Sequence, residues 1–292
     1  MNCIIETKSL TKKYKQVTVV EDISFKIKRG EIYGLIGKNG AGKTTCLKML
    51  SGLVNATSGQ IVIDKTTKIG CLIEAPGLYY EMNAFENLKC KCIMSGNYDK
   101  SYIESLLKFV SLEDAGKKKV FEFSLGMKQR LGIAIALVGK PDVLILDEPI
   151  NGLDPQGILE IRNLLKRLKD EEKMTIIISS HILSELDKLA DTIGIIHNGK
   201  LLSETSIDEI ENSSCIEIEA VDANLAQKVL CKNKIQNIDM IDDKTFRIYG
   251  CNDDIVKINE YIVTSGGGLI QSKLVKSGLE SYYMDVISTH GV

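Results

Sequence analysis

The chain has 292 residues, 44% of them hydrophobic, and sets 37 Lys and Arg against 39 Asp and Glu for a formal net charge of -2. That content supplies a packed core for one large domain or two unequal ones and excludes extensive disorder, while the near-neutral charge gives no global attraction to nucleic acid. No apolar run, Ile133 to Val138 and Ile176 to Ile178 included, approaches the roughly 20 residues that cross a bilayer; the opening MNCIIETKSLTKKYK is charged where a secretory leader is apolar, so a cytosolic location is expected.

Along the chain, Ile4 to Thr7 and Val17 to Ile27 are rich in β-branched residues and read as strands, with a turn at Lys28 to Glu31. Ile32 to Ile36 is a third strand that runs into a glycine-rich stretch. After it, Thr44 to Leu53 has helical spacing, with Cys46, Leu47, Met49, Leu50 and Leu53 available for burial. Ala84 to about Ala115 reads as a helical insert, polar on one face and broken at Ser95-Gly96-Asn97.

Strands at Val143 to Leu146, Thr175 to Ser179 and Ile193 to His197 then alternate with helices at Ile158 to Glu171 and Ile182 to Ala190. Fully apolar strands alternating with helices predict a largely parallel α/β sheet. Near Asn212-Ser213-Ser214 the pattern changes. Strands at Cys215 to Val221, Ile238 to Ile241, Thr245 to Tyr249 and Leu269 to Val275, with helices at Leu225 to Asn233 and Asp254 to Ser265, follow in the order β-α-β-β-α-β of a small split βαβ domain. The expected division is residues 1–212, with a helical subdomain at about 84–140, and residues 213–292. The eight cysteines form no CxxC pair and interleave with no histidine, which predicts reduced thiols and neither zinc nor a disulfide framework.

Gly37-Lys38-Asn39-Gly40-Ala41-Gly42-Lys43-Thr44 matches GxxxxGK[ST], in which glycines let backbone N–H groups converge on phosphate oxygens at a helix N-terminus. The strand before it and the helix after it argue against a chance glycine turn. Lys43 is placed for the β and γ phosphates and the Thr44 hydroxyl for Mg2+. Val143 to Glu148 ends an apolar strand with two carboxylates, at the sheet edge where ligands of parallel sheets gather. Successive side chains point opposite ways, so Asp147 fits a Mg2+ partner and Glu148 the base or orienter of an attacking water, the alternative being acids that cap the next turn. His181 follows the apolar Ile176 to Ser180 and should emerge at the same edge, within reach of the γ phosphate. His197 and His290 have no such context.

Read together, these motifs resemble the nucleotide-binding subunit of an ABC transporter, over about residues 2–212. Ser124-Leu125-Gly126-Met127-Lys128-Gln129 resembles the LSGGQ signature, with Met127 and Lys128 replacing simpler forms, and Asn151-Gly152-Leu153-Asp154 resembles the D-loop. The resemblance implies an α/β P-loop ATPase domain with a helical subdomain, plus a small C-terminal α+β domain. It implies ATP and Mg2+ as cofactors, with nucleotide contacts from Gly37, Asn39, Gly40, Ala41, Gly42, Lys43, Thr44 and Thr45. It places Ser124, Gly126, Gln129 and Asp154 at ATP held by a second copy, so two copies would close head to tail over two ATP molecules. It also implies a separate transmembrane permease, no nucleic acid partner, and a peripheral position on the inner face of the membrane.

Tyr14 lies where the family has an aromatic stacked on adenine, although a tyrosine there also suits plain strand packing. Glu74 stands where the family has a glutamine that senses Mg2+ and water; a carboxylate binds the metal more strongly but cannot donate a hydrogen bond to water. Glu74 and the Tyr79 sequence after it are similar to ATPases of lantibiotic-immunity and bacitracin-type exporters, and imply export of antimicrobial peptides. Coupling to a permease is expected through Glu74 to Asn87, where Tyr79, Tyr80, Met82 and Phe85 either receive a docking helix or belong to the core. ABC-type ATPases of DNA repair, chromosome maintenance or translation are the alternative class. They bring a tandem ATPase half, a long coiled coil or a basic surface, and the sequence has none. Lys43 and Glu148 together speak against a binder without turnover.

Overall fold

The computed structural model describes residues 3–96, 98–233, 235, 237–249, 255–275 and 278–290. They divide into two compact units, Met1–Glu204 and Thr205–Val292. The first unit opens with β1 (Cys3–Tyr14), β2 (Val17–Ile23) and β3 (Lys26–Lys28), which pair antiparallel. β1 outruns the expected Ile4 to Thr7 because its halves serve different partners: Cys3 to Glu6 pair with β3, and Leu10 to Tyr14 with β2. The strand expected over Val17 to Ile27 breaks at Ser24, whose hydroxyl accepts a hydrogen bond from the Ser9 N–H at 2.8 Å.

The wholly buried β4 (Ile32–Ile36) leads through the glycine loop into α1 (Lys43–Leu50), which buries Cys46, Leu47, Met49 and Leu50. Helix α1 stops short of Leu53 because Gly52, at φ 75°, turns the chain and donates its N–H to the Met49 carbonyl at 3.1 Å. Leu53 is consequently left exposed. Two short strands that the sequence did not reveal follow, β5 (Ser58–Ile63), which pairs with β1, and β6 (Ile69–Leu72). The helical insert holds α2 (Ala84–Met94), opened by an Asn83/Glu86 capping box, α3 (Lys100–Phe109) and α4 (Leu125–Leu137). Its expected break falls at Ser95 and Gly96; Asn97 lies outside the described residues.

The chain continues through β7 (Val143–Asp147), α5 (Pro155–Asp170), β8 (Thr175–Ser180), α6 (Leu183–Leu186), β9 (Thr192–His197) and β10 (Lys200–Ser206). Helix α6 is a single turn rather than the expected run to Ala190, since the chain must straighten for Asp191 to exchange hydrogen bonds with Ile32. The sheet order is β10-β9-β4-β8-β7-β6, and every pair from β9 to β6 is parallel. All five parallel strands therefore end at one edge. Behind that edge, Ile5, Leu10, Val20 and Ile27 of the antiparallel sheet share a core with Leu47 and Met49 of α1 and with Val143 and Ile145 of β7. Each such side chain contributes about 1.5–3 kcal/mol on burial, which fixes the glycine loop and the carboxylate strand against one framework.

The second unit begins at Thr205, in the last residues of β10, and takes in α7 (Ile207–Asn212), whereas the sequence pattern placed the division after residue 212. β11 (Cys215–Ala220), α8 (Ala223–Lys232), β12 (Ile238–Met240), β13 (Thr245–Tyr249), α9 (Ile255–Thr264) and β14 (Leu269–Val275) follow, then α10 (Leu279–Thr289), which packs against α7 and explains why α7 belongs here. The expected helix start at Asp254 lies outside the described residues. The sheet order β12-β13-β11-β14, antiparallel throughout, is the split βαβ arrangement. Ile216, Ile218, Phe246 and Ile248 pack on Ala226, Leu230, Ile258 and Ile262 from α8 and α9. On the opposite sheet face, Glu217 bridges Arg247 at 2.8 Å and Lys273 at 2.7 Å.

Helix α4 lies so close to β6 that a Cβ added at Gly70 would sit 2.1 Å from the Ala136 backbone oxygen. Gly70→Ala is expected to cost about 1–3 kcal/mol of stability in denaturant unfolding; a wild-type midpoint would show that α4 can retreat from the sheet.

Candidate active site

The parallel edge delivers the functional side chains. β4 ends at Ile36, and the loop after it is held so close to β9 that a Cβ at Gly37 would lie 2.3 Å from the Ile196 oxygen. Gly42 caps α1 in a left-handed conformation, φ 107°, facing the Val19 carbonyl. No acidic residue occupies the first turn of α1, so its N-terminal amides and dipole are available to an anion. A cavity of about 200 Å³ lies here, lined by Val19, residues 38–45 and Glu148.

Lys43 points back over the loop. Its side chain is only 5% exposed, and its ammonium donates to the Gly37 carbonyl at 2.6 Å, approaches the Lys38 carbonyl at 3.3 Å and lies 3.2 Å from Glu148 Oε1. Thr44 Oγ1 donates to Asp147 Oδ2 at 2.9 Å, and the Ser179 hydroxyl donates to Asp147 Oδ1 at 2.6 Å. Ser179 was not anticipated: a serine that ends an apolar strand carries no signature of its own, yet it fixes Asp147 and also accepts the Glu148 N–H at 3.0 Å. Glu148 adopts a left-handed φ of 47° as β7 ends, and its second carboxylate oxygen meets His181 Nδ1 at 2.8 Å. Lys43, Thr44, Asp147, Glu148 and His181 thus assemble as one site. The residue types suit Mg2+: Thr44 and Asp147 offer hard oxygen donors, the kind this cation takes alongside waters and phosphate oxygens. Bound there, Mg2+ would neutralise charge on the β and γ phosphates.

Other expected residues lie apart from this group. The Ser124 hydroxyl accepts the Met127 N–H at 3.2 Å and caps α4. Asp154 likewise caps α5 through the Gly157 N–H at 3.0 Å. The two caps are neighbours, since a Cβ at Gly126 would meet Gly157 and Leu153 at 3.9 Å. Ser124, Gly126 and Asp154 are absent from the lining of the cavity that holds Lys43. Gln129 is buried in α4 with its Oε1 unpartnered. Tyr14 is 44% exposed, which favours a stacking surface over core packing, and the Lys12 ammonium lies 5.0 Å from its ring centroid.

Glu74, expected at the metal and nucleotide, is engaged by a lysine. Its side chain is 66% exposed and bonded to the Lys48 ammonium at 2.5 Å rather than gathered with Thr44 and Asp147. That hydrogen bond holds Lys48 above its ordinary pKa. Burial pushes the Cys46 thiol up to about 12, so the cysteine beneath the loop stays protonated and is no nucleophile.

Residues 20–151 match the family described as ABC transporter. The bacitracin transport ATP-binding protein BcrA of Enterococcus faecalis is 40% identical over all of this chain and 99% of its own length. The chain belongs to the ABC transporter ATP-binding proteins. The lantibiotic transport ATP-binding protein SrtF of Streptococcus pyogenes is 47% identical over 72% of this chain and 93% of its own. A structure described as the dimeric post-hydrolysis state of the ATP-binding cassette MJ0796 bound to ADP and Pi superposes with a TM-score of 0.64, at 25% identity, over 70% of this chain and 99% of that one. The ABC fold expected from the motifs is therefore present, the chain is an ABC ATPase, and the curated relatives are named for transport rather than for DNA repair or translation.

In this ABC ATPase, Glu148→Gln keeps the shape of the side chain but loses a base. ATP turnover is expected to fall by about 100-fold or more while nucleotide binding persists. Unchanged turnover would exclude Glu148 from the chemical step. Lys43→Ala should instead weaken ATP binding by about tenfold or more in calorimetry, because charge-assisted hydrogen bonds to phosphate are lost.

Proposed function

We propose that this ABC ATPase powers export of antimicrobial peptides of the bacitracin or lantibiotic kind, by closing as a homodimer on a separate transmembrane permease at the inner face of the membrane. The whole-length similarity to a bacitracin transport ATP-binding protein supports the substrate class. Among the described residues no helix is long and apolar enough to cross a membrane.

The observation that carries the dimer is the absence of Ser124 from the lining of the Lys43 cavity. The Lys43 cavity is open and lined without Ser124, whereas Ser124 and the N-terminus of α4 stand beside the D-loop with Leu125 exposed to solvent. A second copy turned head to tail brings the Ser124 hydroxyl and the Gly126 amide to the γ phosphate. Phosphate entering the loop offers Lys43 anionic oxygens in place of the Gly37 carbonyl. That exchange frees Glu148 from Lys43, and His181 then holds the carboxylate against water positioned for in-line attack on the γ phosphorus. Mg2+ belongs at Thr44 and Asp147, and Tyr14 receives adenine on the ring face that Lys12 leaves open.

Docking of the permease is supported by aromatics at the start of the helical insert. Tyr79 and Tyr80 are half-exposed and Phe121 is 57% exposed, whereas Met82 and Phe85 are partly covered. Backbone hydrogen bonds from Phe121 to Tyr80 and from Val120 to Met82 join the two segments, so Phe121 extends the patch expected from residues 74–87. The paired variant Tyr80→Ala/Phe121→Ala should retain ATPase activity as an isolated protein yet lose bacitracin and lantibiotic resistance in a sensitive Gram-positive host that carries the permease. Full resistance would remove the docking patch. If wild-type chain plus permease protects against neither peptide, the substrate class is wrong.

A further inference from the structure

The Lys48–Glu74 pair stands outside the hydrolytic steps above but beside them in space. Lys48 lies one helical turn beyond Thr44 on α1, so the two side chains share a face. Glu74 lies two residues beyond β6, whose Leu72 is paired with Leu146, the residue before Asp147. Metal-site oxygens and this ion pair therefore occupy adjacent positions along the same sheet edge. The ammonium of Lys48 also feels the charge of Asp147 and the Tyr14 phenol, although its hydrogen bond to Glu74 dominates its raised pKa. Glu74 itself holds a left-handed backbone, φ 65°, at the point where the chain leaves the sheet.

Glu74 has one strong partner here, and it is a cation. An ammonium and a divalent metal ion are alternatives for one carboxylate, because both bind through the same oxygen lone pairs. Glu148 keeps His181 and Lys43, and Asp147 keeps Thr44 and Ser179, whereas Glu74 is held by a partly exposed lysine. We propose that Lys48 is a positioning residue that holds Glu74 away from the metal until Mg2+ competes for the carboxylate, and so sets the Mg2+ concentration at which the nucleotide site fills. The exchange makes and breaks no covalent bond: Glu74 trades an ammonium for the metal shell, and Lys48 is released toward Asp147 and the bound nucleotide. This inference rests on the reading that Mg2+ sits at Thr44 and Asp147.

The test is a Mg2+ titration of the binding of a fluorescent nonhydrolysable ATP analogue to the full chain, with wild type, Lys48→Gln, Lys48→Arg, Glu74→Gln and the double variant Lys48→Gln/Glu74→Gln compared. An EDTA arm measures metal-free binding, so that any direct pull of Lys48 on phosphate is read separately. Lys48→Gln should lower the Mg2+ midpoint by about threefold, the scale of a partly exposed ion pair. Lys48→Arg should restore the wild-type midpoint, and in the Glu74→Gln background Lys48→Gln should leave the midpoint unmoved. An equal shift in both backgrounds, or no shift in the first, overturns the role assigned to Lys48 while leaving the metal site intact. Wild-type binding that ignores Mg2+ throughout the titration overturns the metal site itself, and this inference with it.

Discussion

A buried ammonium needs oxygen partners, and the arrangement of this protein follows from how Lys43 obtains them. The Gly37 carbonyl, the Lys38 carbonyl and Glu148 hold the cation over its own loop, and removing such partners from a buried charge costs several kcal/mol. Phosphate is a better acceptor than a peptide carbonyl, so the proposed mechanism couples nucleotide entry to release of Glu148. The rest of the edge serves that exchange. Ser179 and Thr44 fix both oxygens of Asp147, and His181 takes the Glu148 oxygen that Lys43 does not face.

The same parallel sheet that gathers these groups also leaves them open on one side. Strands β4, β7 and β8 end together, but the signature helix α4 starts elsewhere, with its cap Ser124 beside the D-loop and outside the cavity lining. A triphosphate bound to one chain therefore meets donors on one flank only. Twofold pairing is the economical remedy, since one surface then supplies both missing halves. The docking patch proposed for the permease lies apart from both, where Tyr79, Tyr80 and Phe121 remain uncovered.

Much of the site was legible because its chemistry is local. Gly37 to Thr44, Asp147-Glu148 and His181 each sit where a buried strand ends, and a run of branched residues announces such a strand without help from the rest of the chain. What escaped was set by contacts between distant segments. Ser179 acquires its role only across the β7–β8 pair, Lys48 only from a carboxylate 26 residues away, and Phe121 only from pairing with Tyr80. Strands β5 and β6 escaped for a similar reason, being short and stabilised by partners rather than by pattern. The long α6 was expected from helical spacing, and Asp191 pairing with Ile32 overrode it. Glu74 was placed near metal by the family resemblance, but its pairing with Lys48 on α1 is visible only in the fold.

The proposed dimer requires one chain to carry two halves of different sites. Light scattering of Glu148→Gln, expected to bind ATP with little turnover, with ATP and Mg2+ is the decisive measurement. Mass should rise to twice that of one chain on adding nucleotide, and the rise should be abolished when Ser124 is replaced by a bulky arginine. A single-chain mass at saturating ATP, or a dimer indifferent to Ser124→Arg, would contradict it.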